Sequence, residues 1–437
     1  MRARAAVLAA LALAAGRPSR ADEVRLSLAE AVDRAVAQAP RLAGLRSLEE
    51  AARAGWRAAR AARLPVADLG AAYTRASDVP ELAIVDPSGA RRVLFPNIPD
   101  IYRIRAGVQL PLYTGGRIGA SITAAAEETR AAQLDRAGAE HDLVLEARSA
   151  YWSLITARES ARVLAEAAAS FEAHLTDARH RQEEGLAARN ELLAVQVERD
   201  RAELARLAAS NAAAVANANL LLLTGLPPEA TVVPTESLAL TAVGSDPLSA
   251  LLAVALAGRP EVMALRARAA AADAAARAVR SGTLPQASLA AGYEFANPNP
   301  RILPLVPEWN GTWSVGVSLA LTAFDGGRTA AAAAQARAQA DALRHQVEDL
   351  ERRIRLEVTQ RSLDLGTAQA AVAVADRNLE AAQENLKVAQ DRYKEGLIPS
   401  AELLDAETAL LRAGLDRTSA VTQFHLARAG LERSVGR

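Results

Sequence analysis

Arg181-Gln182-Glu183-Glu184-Gly185-Leu186, followed by Glu191-Leu192-Leu193, returns later as Arg392-Tyr393-Lys394-Glu395-Gly396-Leu397, followed by Glu402-Leu403-Leu404. Every matched residue is displaced by the same 211 positions. Each copy lies between two long stretches rich in Ala, Leu, Arg and Glu, so each reads as a helix–turn–helix tip with glycine at the turn. The chain is one half-molecule written twice, and that internal duplication organises everything else.

Outward from the tips the match continues. Gly115-Gly116-Arg117 aligns with Gly326-Gly327-Arg328 at 211, whereas Leu64-Pro65 and Tyr73 align with Leu284-Pro285 and Tyr293 at 220. The offset changes between the two strands of each half, so the second loop is nine residues shorter than the first. Loops absorb such a change and cores do not. The expected organisation is a first repeat over 22–228, a linker over 229–247 and a second repeat over 248–437. Each repeat reads helix, strand, strand, long helix, tip, helix.

The strands are recognised by strict alternation. They are expected at about 66–75, 101–113, 286–296 and 311–324. Tyr102, Ile104, Ala106, Val108, Leu110 and Leu112 share one face, and Arg103, Arg105, Gly107 and Gln109 the other. In the last strand Trp313, Val315, Val317 and Leu319 oppose Ser314, Gly316 and Ser318. Of the fifteen aromatic residues, nine fall in these regions: Tyr73, Phe95, Tyr102, Tyr113, Tyr293, Phe295, Trp309, Trp313 and Phe324. An apolar, aromatic-ended face backed by a small or polar one is the pattern of a barrel strand between lipid and water. Four strands cannot close a barrel, and an open edge is not viable in lipid. Several chains must therefore contribute to one barrel.

Composition agrees. Met1–Arg4 and the apolar run Ala5–Ala15 read as a secretory signal over 1–21, with Ser19-Arg20-Ala21 at the cleavage site. The formal charge of zero becomes about four negative once that segment's four arginines are removed, which gives nucleic acid no basic face to bind. No cysteine is present, so disulfides, thiol chemistry and a lipidated N-terminal cysteine are excluded.

A helical pattern from Arg117 to Glu184, roughly 68 residues, spans about 100 Å and needs partners along its length. In the second repeat Val358, Leu365, Val372, Leu379, Leu386 and Tyr393 recur every seven residues, with Ala368, Ala375, Ala382 and Ala389 three positions on. That is a coiled-coil seam of alternating large and small layers.

The duplicated Arg-x-x-x-Gly tips, the strand pairs ending in Gly-Gly-Arg and the Leu26-Ser27-Leu28-Ala29-Glu30-Ala31 start together resemble the TolC-like outer-membrane efflux protein family (outer membrane factors). The resemblance covers 22–437. It implies an α+β membrane protein: a homotrimer in which each chain gives four strands to a twelve-stranded β-barrel, continuous with a coiled-coil helical tunnel in the periplasm. It also implies partners, namely outer-membrane lipid, a periplasmic adaptor (membrane fusion protein) and, through it, an inner-membrane pump. By position, the adaptor-docking tips fall on Gly185, Leu186, Gly396 and Leu397, with Arg181 and Arg392 opening the two motifs. The family's acidic gate positions fall on Glu191, Glu402 and Asp405, and Tyr393 and Arg392 are candidates for the contacts that hold the tip closed. Ile398 stands where some relatives carry a basic residue.

Read from the residues alone, Glu402 and Asp405 are three apart on one helix face. Around a threefold axis they would form carboxylate rings that favour cations; without one they are first-turn acids that complement the helix dipole. Arg103, Arg105, Gln109, Ser314 and Ser318 would line the barrel lumen. The five histidines (His141, His174, His180, His345, His425) show no metal-ligand spacing, and Thr114-Gly-Gly-Arg-Ile-Gly119 lacks the lysine of a phosphate loop. No enzyme, metal or cofactor is expected. Two functions remain: the passive exit duct of an efflux or type I secretion system, and a structural coiled-coil envelope protein without a conducting lumen. A duct needs small or polar residues on the inner strand face, and the alternation supplies them.

Overall fold

A computed structural model of the chain describes residues 23–240 and 246–437. The signal segment expected over 1–21 lies outside the described residues. In order, the elements are β1 (Glu23–Leu26), α1 (Leu28–Gln38), α2 (Pro40–Ala61), β2 (Val66–Arg75), β3 (Leu82–Val85), β4 (Arg91–Phe95) and β5 (Asp100–Tyr113). Then come α3 (Arg117–Glu183), α4 (Arg189–Thr224), β6 (Thr231–Pro234), α5 (Leu248–Gly258), α6 (Pro260–Arg280), β7 (Gln286–Asn297), β8 (Asn310–Ala320), α7 (Arg328–Lys394) and α8 (Ser400–Ser434). They form two compact units. One comprises the residues up to Leu45, Asp135–Glu261 and Leu350–Arg437; the other comprises Arg46–Leu134 and Val262–Asp349.

In the second unit β2, β5, β7 and β8 form one antiparallel sheet in that order, leaving β2 and β8 as unpaired edges. The register sorts the side chains into two faces. Leu69, Ala106, Tyr293 and Trp313 form one cross-strand row on the apolar face, and Gly70, Arg105, Glu294 and Thr312 form one on the polar face. The apolar face is bare: Leu69 is 79% exposed, Trp313 73% and Leu319 73%. Its loop-side end carries an aromatic ladder, with ring centroids 5.1 Å apart for Tyr73–Tyr102, 6.1 Å for Tyr102–Trp309 and 5.0 Å for Phe295–Trp309. On the polar face Arg103 pairs with Glu294 at 3.6 Å, and the Ser288 and Ser318 hydroxyls meet at 2.8 Å. Strand β8 stops at Ala320, short of the expected 324, because its partner there is Gln286, the first residue of β7. Asp325 then starts the turn, accepting from the Gly327 and Thr329 amides. The loop between β2 and β5 contains the β3–β4 hairpin.

Each sheet-to-helix turn uses two glycines with positive φ, Gly115 and Gly116 before α3, Gly326 and Gly327 before α7. Gly115 is doubly constrained. Its φ is +60°, and a Cβ there would lie 2.7 Å from the Leu284 Cβ and 3.0 Å from the Ser281 carbonyl oxygen. Gly115→Ala is expected to destabilise the fold by roughly 2 kcal/mol or more. Gly44→Ala, in α2 with nothing within 4 Å of its Cβ, should stabilise by about 0.5–1 kcal/mol. Thermal unfolding of the two purified variants checks the contrast.

The other unit is built on helices. Ser27 caps α1 through a capping box: the Ser27 amide donates to the Glu30 carboxylate at 2.9 Å, and the Glu30 amide donates to the Ser27 hydroxyl. A short parallel pairing of β1 with β6 joins residue 23 to residue 231, within the stretch expected to be only a linker. It covers a core of Leu26, Tyr151, Leu154, Leu220 and Val232. Among the described residues one single helix, α4, is long and apolar enough to cross a membrane by composition. It is pinned here: Asn217 donates to the Ala230 carbonyl at 3.0 Å and accepts from the Val232 amide at 2.9 Å. On α7 the heptad residues Val372, Ala368 and Ala375 pack on Ala420, Val421 and Phe424 of α8.

Tyr151 is fully buried, with its hydroxyl 2.9 Å from the Leu26 carbonyl and hydrogen-bonded to the Glu236 carboxylate. Burial, then that carboxylate, pushes the phenol up to about 12. The folded value is raised above the unfolded one near 10, so the neutral phenol stabilises the fold below pH 10, and that stability is lost as pH rises through 12. The loss amounts to about 2–3 kcal/mol. Wild type is expected to destabilise more steeply than Tyr151→Phe between pH 10 and 12 in thermal melts, and parallel profiles would refute this.

Candidate functional site

The two tips have the same backbone. In the first, the Gly185 amide donates to the Gln182 carbonyl at 3.0 Å and the Leu186 amide to the Arg181 carbonyl at 2.7 Å. In the second, Gly396 donates to Tyr393 at 3.0 Å and Leu397 to Arg392 at 2.9 Å. Both are Schellman endings, in which the glycine takes a left-handed conformation, here φ 75° and 72°. The residue after that glycine usually folds back on the helix. Here it does not: Leu186 is 74% exposed and Leu397 63%. Each apex thus presents a bare leucine.

The expected acids occupy the next turn. Neither α4 nor α8 has a side-chain N-cap, so Glu191 and Glu402 face uncompensated first-turn amides. Glu402 is also paired, with Arg392 at 3.3 Å, both side chains being about half exposed. Asp405 is exposed and holds no ion pair among the described residues. Of the sequence-assigned acids on α8, Asp405 is therefore the one with free charge.

Behind the apex, Arg181 and Tyr393 are brought together. The Arg181 guanidinium lies over the Tyr393 ring, 4.0 Å from its centroid, and donates to the Tyr393 carbonyl at 2.9 Å. Ile398 is buried with Ala389, Tyr393, Leu403 and Ala406, so the position after the second apex leucine makes an apolar contact.

Sequence reasoning missed what lies beneath Tyr393. His174 on α3 has its Nδ1 2.9 Å from a Glu407 carboxylate oxygen and its Nε2 3.0 Å from the Ser400 hydroxyl, both partners on α8. The Ser170 hydroxyl donates to the other Glu407 oxygen at 2.9 Å. A carboxylate only accepts, so Nδ1 donates to Glu407, and Nε2 shares its hydrogen bond with the Ser400 hydroxyl. The order Ser–His–Glu is that of a nucleophilic relay, but Ser400 is 1% exposed at the start of α8 and no substrate reaches it. One signal pointed here: His174 interrupts the apolar stripe Phe171, Leu175, Ala178, which packs on Val195, Ala202 and Leu404. His425 is likewise buried, stacked on Trp152 at 3.7 Å; burial pushes its imidazole below the usual value. No cluster of metal-ligating side chains occurs among the described residues.

Comparison with known proteins adds the family. The model of the outer membrane efflux protein family matches residues 31–226 and 251–437. Among curated sequences none matches. Solved structures share the fold. A membrane protein from Pseudomonas aeruginosa is similar at 22% identity and TM-score 0.79, covering 93% of both chains. The outer membrane protein VceC from Vibrio cholerae is similar at 19% and 0.79, covering 94% of this chain and 96% of that one. The Neisseria gonorrhoeae MtrE outer membrane channel is similar at 20% and 0.76, covering 94% and 88%. The family match spans both repeats, tips included, and on it the chain belongs to the outer membrane efflux protein family, the TolC-like channels that sit in the outer membrane with their helices in the periplasm.

Proposed function

We propose that the protein is the passive exit duct of a tripartite efflux or type I secretion system, three copies closing one twelve-stranded barrel above a helical tunnel. The four-stranded sheet carries this reading: two open edges, an apolar aromatic-ended face and a small or polar face. Open edges are not tolerated in lipid, and the smallest lipid-spanning barrels have about eight strands. Setting β8 of one copy beside β2 of the next preserves the antiparallel order and removes both edges. Arg103, Arg105, Gln109, Ser314 and Ser318 would then face the lumen. Exposed apolar stripes support assembly as well, with Leu193, Val197 and Leu204 on α4 and Leu356 and Leu363 on α7. A second copy of the chain would cover them, and the tunnel would be a coiled coil between copies.

The bare leucines at the apices, Leu186 and Leu397, with Gly185, Gly396, Arg181 and Arg392 behind them, are the surface for a periplasmic adaptor that links the duct to an inner-membrane pump. No catalytic role is proposed for any residue. In-cell crosslinking from a photoreactive residue at Leu186 or Leu397 tests the docking. An adaptor should be caught at both positions. Recovery of only other copies of the chain, or of nothing, would instead favour an envelope scaffold.

A further inference from the structure

We propose that Arg57, Arg60 and Arg117, with their counterparts Arg277, Arg280 and Arg328 in the second repeat, form a basic collar on which anionic phospholipid headgroups of the periplasmic leaflet dock. The inference rests on the duct reading and deepens it, since the sheet must lie in the bilayer for its helix-side end to meet a leaflet.

All six belong to the unit that holds the sheet. The strand register brings the start of β2, the end of β5, the start of β7 and the end of β8 to one end of that sheet. Arg57 and Arg277, the farthest of the six, are nine residues from Val66 and Gln286, at most about 14 Å along a helix. The collar is written twice: Arg57 and Arg60 recur at an offset of 220 and Arg117 at 211, the offsets of the flanking matches. All six are exposed, and none holds an ion pair among the described residues. Other arginines are paired, as Arg162 is with Glu159 and Arg344 with Asp273. Over 51–67, 114–126, 274–285 and 325–340 the sequence holds one acid, Asp325, and its carboxylate already accepts from the Gly327 and Thr329 amides.

Charge selects the partner. A guanidinium is always ionised, and its fork of N–H donors matches phosphate oxygens. The formal charge of the whole chain is zero, so the collar is a local excess. A second copy set beside this one brings the same four segments with the same single acid, so assembly does not neutralise the arginines. Aromatic residues mark the level. Tyr113 is 52% exposed at the end of β5 and Phe324 88% exposed just beyond β8, where hydrocarbon gives way to headgroups. Close by, the Arg60 guanidinium lies over the Trp56 ring, 4.9 Å from its centroid, and tryptophan is itself an interfacial residue. Arginine reaches headgroups by laying its methylenes along apolar surface and keeping the charge at the polar end. The bound phosphates then fix how deep the barrel sits.

The test is the lipid preference of the full-length protein in phosphatidylcholine vesicles, read by electron paramagnetic resonance from trace spin-labelled phosphatidylglycerol against spin-labelled phosphatidylcholine. Wild type should favour the anionic lipid about fivefold at about 0.05 M salt and lose most of that preference at about 0.5 M. Glutamine at Arg57, Arg60 and Arg117, or at Arg277, Arg280 and Arg328, should lower the preference, and all six substitutions together should abolish it. Arg189→Gln, an exposed arginine at the first tip, should match wild type. No preference in wild type, or a preference unchanged in both triple variants, overturns the collar. Loss of the preference to inorganic phosphate at matched ionic strength also overturns it, because the arginines would then hold the free ion. A shifted reversal potential in the variants, with lipid preference unchanged, would place the arginines in the lumen and overturn it too. Conductance is measured in parallel: a conducting barrel without lipid preference refutes the collar alone, and a preference without conductance refutes the duct alone.

Discussion

Arginine in place of Leu186 or Leu397 is expected to abolish export while the protein still reaches the outer membrane folded and assembled. Both leucines sit one residue past the left-handed glycine, and neither packs on its own helix. Folding therefore loses little, since surface substitutions usually stay within about 0.5 kcal/mol. Docking loses far more. A central apolar anchor in an interface contributes about 2 kcal/mol or more, and an arginine in its place buries an unpaired charge. On the proposed reading the duct is passive, so a docking failure removes transport rather than slowing it. Export of a pump substrate, together with heat-resistant oligomer in outer-membrane fractions, separates the two effects. Undiminished export by both variants would show that the apices do not dock. Loss of the oligomer would show that the leucines serve assembly instead.

What was legible in the sequence was what is local or repeated. The tips were found because Arg, Gly and Leu recur at one offset, and the glycines do take the left-handed conformation that the turn needs. The strands were found because alternation with period two survives in a single sequence, from Tyr102 to Leu112 and from Trp313 to Leu319. The Ser27–Glu30 capping box is local in the same way, spanning three residues. What escaped is held by partners distant in the chain. The pairing of β1 with β6 joins two four-residue strands more than 200 positions apart, and neither has a pattern of its own. His174 meets Glu407 and Ser400 across more than 220 residues and has no counterpart in the other repeat, where Asn385 stands at the same offset. Arg392 could be named as a tip residue but not as the partner of Glu402, which depends on how α7 and α8 meet. That last pairing changes what the acids can do.

Neutralising Glu402 and Asp405 together is expected to invert the ion preference of the channel, not merely weaken it. On sequence alone both acids contribute equally to a carboxylate ring. In the structure Arg392 lies 3.3 Å from Glu402, so those two charges largely cancel and Asp405 carries the net negative charge of the trio. Asp405→Asn alone should therefore remove most of the cation preference. Glu402→Gln alone should also reduce it, because an uncompensated Arg392 is left beside Asp405. The double variant leaves only the guanidinium, so each copy changes from one net negative charge to one net positive. Three copies around a narrow opening would add these charges into a ring, where one sign of ion is attracted and the other repelled. Reversal potentials in planar bilayers under a salt gradient should move from cation-selective through Asp405→Asn to anion-selective in the double variant. Raising the ionic strength should shrink the differences, since exposed charges are screened over about 10 Å at 0.1 M salt. Equal reversal potentials in all four proteins would place these acids away from the conducting path and leave Glu402 and Asp405 as first-turn acids of α8.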